Sequence, residues 1–108
     1  MKKLIVAGPV LALALGFASP SAAFSCPGHF ADAQAAIDSA KAAMGKVSDA
    51  TAKGLVHTLI DDAKHLLTAA EHHHAKPAAG KYDHARALAK ADASRSYAEA
   101  AEALAQRS

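Results

Sequence analysis

The sequence predicts an all-α fold: a small three-helix up-down-up bundle following a cleaved signal peptide. Three observations carry that expectation. Residues 55–74 place Leu55, Val56, Leu59, Ile60, Ala63, Leu66, Leu67 and Ala70 at three- and four-residue spacing, the period of one buried helix face. Alanine, the strongest helix former, dominates the rest of the chain, with no Trp, three Phe and two Tyr. Two breaks, at 45–49 and 75–80, divide the polar-apolar pattern into three helix-length pieces.

Residues 1–23 stand apart from this pattern. Lys2 and Lys3 precede an apolar run over 4–17, and the segment closes on Ser21-Ala22-Ala23, small residues of the kind a signal peptidase reads. The run is short for a membrane span. The expectation is therefore export to the periplasm or the medium, with no membrane insertion once the segment is removed. Cleavage after Ala23 leaves residues 24–108, enough for one small domain. Lys2 and Lys3 leave with the segment, so the twelve Lys/Arg become ten against ten Asp/Glu. The remaining charges are interspersed, and nucleic-acid binding has no footprint in them. Cys26 is a single cysteine in an exported chain: an unpaired thiol, an intermolecular bridge, a lipidation point or a metal ligand.

In chain order, residues 24–28 read as an extended lead-in, because Pro27 and Gly28 oppose helix, and residues 29–108 as the domain. The first helix is expected over 29–44, with Phe30, Ala33, Ile37, Ala40 and Met44 as its seam and Gly45 as a left-handed cap. Ser48 or Asp49 should cap a second helix that runs to His74. Pro77 and Gly80 break the chain again. A third helix follows over 81–105, with Tyr82, Ala85, Ala89, Ala93, Tyr97, Ala100 and Leu104 expected as its inner stripe. So much alanine buries little area, and such a core gains from a metal or a second subunit.

Short turns make the helices antiparallel neighbours. The start of the first helix, the end of the second and the start of the third then share one pole. That pole gathers Cys26, His29, His72, His73, His74 and His84. Imidazole and thiolate are the ligands copper, zinc and nickel select. His72-His73-His74 closes a helix whose dipole favours a cation. His57, Asp61 and His65 lie at i, i+4 spacing on the solvent face of the second helix, where neighbouring pairs can share an ion weakly. His57 and His65, two turns apart, are about 12 Å from one another and cannot. Catalysis finds no nucleophile elbow or phosphate loop, and the chain is not expected to be an enzyme.

The stretch H-T-L-I-D-D-A-K-H-L-L-T-A-A-E-H-H-H in a small alanine-rich body resembles the periplasmic small metal-binding proteins. The resemblance implies a short helical protein that takes up copper and other divalent metals through exposed histidines. The function expected is thus binding of a transition metal (Cu, Zn or Ni) for buffering or trafficking. Two other readings of the residues stay open. One is a metal-independent interaction or structural module of the cell envelope, completing its core against a homo-oligomer partner or an envelope protein. The other is a pH sensor built on the histidines.

Overall fold

The structure, a computed structural model, describes residues 26–108. The expected signal segment, Phe24 and Ser25 lie outside the described residues. Three helices account for nearly all of the remainder: α1 (Cys26–Met44), α2 (Ala50–Ala75) and α3 (Lys81–Gln106). All three pairs of helices pack together, α2 against α3 most extensively, as a small all-α bundle. Among the described residues no helix is long and apolar enough to cross a membrane.

The first helix starts earlier than expected. Cys26, Pro27 and Gly28 form its first turn instead of an extended lead-in. The physical reason is positional: the first N–H groups of a helix have no intrahelical acceptor, so a proline there loses nothing. α1 ends at Met44, and the chain tightens through Lys46 N–H to Ala43 O and Val47 N–H to Met44 O, both 3.1 Å. Gly45 does not adopt the left-handed cap expected of it; among the described residues the only positive φ belongs to Gly80.

Asp49 caps α2, its Oδ2 accepting from Ala52 N–H at 2.8 Å. Val56, Ile60, Ala63, Leu67 and Ala70 are buried along α2, as the three-four spacing requires. Leu59 and Leu66 sit half-buried at the edge of that face, and Leu55 is 56% exposed. The opposite face carries exposed His57, His65 and His72, with Asp61 half-buried among them.

α3 departs most from expectation. Its buried residues are Asp83, Ala87, Ala91, Ser94, Ala98, Ala101 and Ala105. Most of the expected stripe is rotated away from the core, with Tyr82 75% exposed and Tyr97 42% exposed, while Leu104 packs half-buried against it. Alanine occupies every face of this helix, so apolar spacing does not discriminate among faces. Close approach does, because a stripe of alanine and serine lets α3 lie nearer to α1 and α2 than tyrosines would. Ser94 shows the consequence: its hydroxyl, fully buried, donates to Ala63 O of α2 at 2.6 Å. The core is completed by Ala33, Ile37 and Ala40 of α1 and by Val47 in the first turn, with Phe30 and Met44 packed against it.

Candidate metal centre

Three helix ends meet at one pole. Cys26 opens α1, His74 stands one residue before the end of α2, and His84 lies in the first turn of α3. One potential ligand atom from each of these residues lies within 4.8 Å of the other two. Two donors on a single ion at zinc–sulfur and zinc–nitrogen bond lengths are separated by about 3.5–4 Å. Side-chain adjustment of about 1 Å thus suffices to converge all three. Among the described residues this is the one group of three or more His, Cys, Asp or Glu so arranged.

Position along each helix explains why these residues meet. The buried face of α2 runs Val56, Ile60, Ala63, Leu67, Ala70, and the next step of four is His74. On α1 the buried face runs Ala40, Ile37, Ala33, and two turns further back reaches Cys26. The candidate site therefore continues the core seam, with Cys26 and His74 standing where the seam runs on from Ala33 and Ala70 to the pole. His72 and His73 are turned from His74 by about 200° and 100° around the helix and cannot share its direction. That rotation is a sequence-readable signal for singling out His74 within the triplet.

The surroundings fix the rings. Phe30, one turn after Cys26, meets His74 edge-to-face with centroids 5.5 Å apart. His74 in turn meets His84 at 5.6 Å. His74 Nδ1 is buried and finds no hydrogen-bond partner among the described residues. A buried polar atom without a partner carries a cost of about 1–3 kcal/mol, which a metal bond would remove. Cys26 is completely buried, its Sγ 3.9 Å from His84 O. Burial pushes its thiol above the ordinary value of 9.0, partly offset by a hydrogen bond with its own backbone amide. Such a thiol keeps its proton until an ion displaces it.

Asp83 and His73 form a second, structural pair beside the site. Asp83 Oδ2 accepts from Ala79 N–H at 2.7 Å, closing the turn before α3, and Oδ1 accepts from Arg86 at 3.2 Å. The backbone bond from Ala79 is the main reason its carboxyl lies below the ordinary 3.8. His73 Nδ1 is 3.8 Å from Asp83 Oδ1, beyond hydrogen-bond length. Desolvation holds His73 below its ordinary 6.5, with the Arg86 and Lys90 charges acting in the same direction.

The other expected ligands are dispersed. His72 is exposed, its ring 6.1 Å from that of His73. His29 is engaged with Asp92 of α3, Nδ1 to Oδ1 at 2.6 Å. His57 and Asp61 face each other across one turn at 3.4 Å on the surface, and His65 is exposed a turn further on. Of the nine residues expected as ligands, the structure thus gathers Cys26, His74 and His84, one from each helix. Asp92, which ties α1 to α3 near this pole, and Asp83, which closes the turn before α3, carry no motif that marks them in the sequence. No family model matches the chain, and neither does any curated protein or solved structure.

Proposed function

We propose that the chain binds a transition metal of the copper, zinc or nickel group at Cys26, His74 and His84, and that it buffers or traffics that ion after export. The observation that carries this reading is the convergence of one thiol and two imidazoles, from three different helices, within 4.8 Å. The buried, unpartnered Nδ1 of His74 supports it. The His57–Asp61 pair offers at most a weak two-ligand surface site.

The test is metal retention. The protein is equilibrated with Cu, Zn and Ni in turn against a chelator of known affinity, and metal is counted per chain. One ion per chain is expected, lost in Cys26→Ser and in His74→Gln but kept in His57→Gln. No retained ion for any of the three metals refutes the reading.

A second reading, a helical interaction module, draws on one feature. Tyr97 lies beside Leu66 and Ala69 in a shallow depression between α2 and α3. A partner or a second copy covering it would make melting depend on protein concentration in the presence of EDTA.

A further inference from the structure

We infer that the site is built for a soft monovalent ion, Cu(I), in three-coordinate S,N,N geometry, in preference to Zn(II). This rests on the metal-binding reading above and deepens it. Ligand number is the first ground. Among the described residues no fourth His, Cys, Asp or Glu joins Cys26, His74 and His84. Of the nearby donors, Asp83 is committed to Ala79 N–H and Arg86 and His29 to Asp92, while His73 is turned about 100° around α2 from His74 and lies opposite Asp83. Zinc is almost always four-coordinate in closed sites and keeps water as its fourth ligand in open ones. Here one ligand is completely buried, and a phenyl ring stands against another. A d10 monovalent ion with a thiolate donor is satisfied by three ligands and needs no water.

Charge is the second ground. One thiolate neutralises a monovalent ion but leaves a divalent one with a net positive charge. Burying an uncompensated charge is expensive. Asp83, the adjacent carboxylate, is already paired with Arg86. The third is softness: thiolate selects Cu(I) over harder ions, and the single cysteine stands at the most buried corner of the site.

The experiment is an anaerobic competition on the whole purified chain, with Cu(I) presented through a colorimetric Cu(I) chelator and Zn(II) through a zinc chelator. X-ray absorption of the loaded form then reports the coordination shell. One Cu(I) per chain is expected, held at least about a hundredfold more tightly than zinc, with one sulfur and two nitrogen ligands. Cys26→Ser should lose the sulfur scatterer and the preference; His84→Gln, with helicity checked by circular dichroism, should lose one nitrogen. Zinc bound one per chain as tightly as Cu(I), or a four-coordinate copper shell, overturns this inference and leaves metal binding intact. Retention of neither ion, with nickel also unbound in the metal-retention test, overturns both.

Discussion

A metal held by three helices must stabilise the bundle far more than one held within a single turn, and the difference is measurable. An ion that binds the folded chain alone adds about 4 kcal/mol when present at a thousand times its dissociation constant. In a domain of 60–100 residues each kcal/mol moves the melting temperature by about 4–8 °C, so saturation predicts a rise of about 15–30 °C. Residual binding of the ion to the unfolded thiol and imidazoles lowers that figure without removing it. The perturbations are Cys26→Ser, His74→Gln and His84→Gln, each removing the ligand contributed by one helix. The assay is thermal melting followed by far-ultraviolet circular dichroism, with and without excess metal. Each variant should lose most of the rise, whereas His57→Gln, which touches only the exposed pair with Asp61, should keep it. An equal rise in all four variants, or its loss in His57→Gln alone, would refute a site that joins the three helices.

Substitutions at three positions test the fold without metal. Ser94→Ala removes the buried hydroxyl that donates to Ala63 O at 2.6 Å, and should cost about 1 kcal/mol in urea unfolding; Ser94→Val, which thickens the contact between helices, should cost about 1–3 kcal/mol. Gly80→Ala places a Cβ in open space but at φ 59°, ψ −124°, so the loss, about 1–3 kcal/mol in the same assay, is one of backbone conformation. Asp83→Asn tests acid stability. The folded carboxyl lies below its ordinary 3.8, so its charge contributes stability that is complete above that value and disappears as pH falls through the folded one. The gap between wild type and Asp83→Asn should therefore be constant near neutrality and shrink below about pH 4; a gap independent of pH down to acid unfolding would refute the assignment.

Helix number, connection points and the buried face of α2 are legible in the sequence because Val56, Ile60, Ala63 and Leu67 recur at three- and four-residue spacing, with His57, Asp61 and His65 on the other side. The face of α3 is not, for two reasons. Its alanines appear on all sides, and two of its buried positions, Asp83 and Ser94, are polar residues that a hydropathy pattern assigns to solvent. Both are buried because each has a specific partner, Ala79 N–H and Ala63 O, visible only after the helices pack. The pole follows from antiparallel topology alone. Which of its residues converge does not: His29 is drawn to Asp92, and His73 lies opposite Asp83. Cys26 and His74 stand out once the seam is extended past its last alanines, but His84 emerges only from the way α3 is turned.

The spacing of Cys26, His74 and His84 along the chain also ranks the order in which they come together. His74 and His84 are ten residues apart across the turn between α2 and α3, while Cys26 is 58 residues from His84. Closing the longer loop costs about 1.6 kcal/mol more in chain entropy than closing the shorter one. The α2–α3 hairpin, with both imidazoles, is therefore the half of the site that local folding assembles first, and the thiol arrives with α1. Opening of the pole would run in reverse: lifting the first turn of α1 withdraws the thiol and leaves the two imidazoles on an intact hairpin.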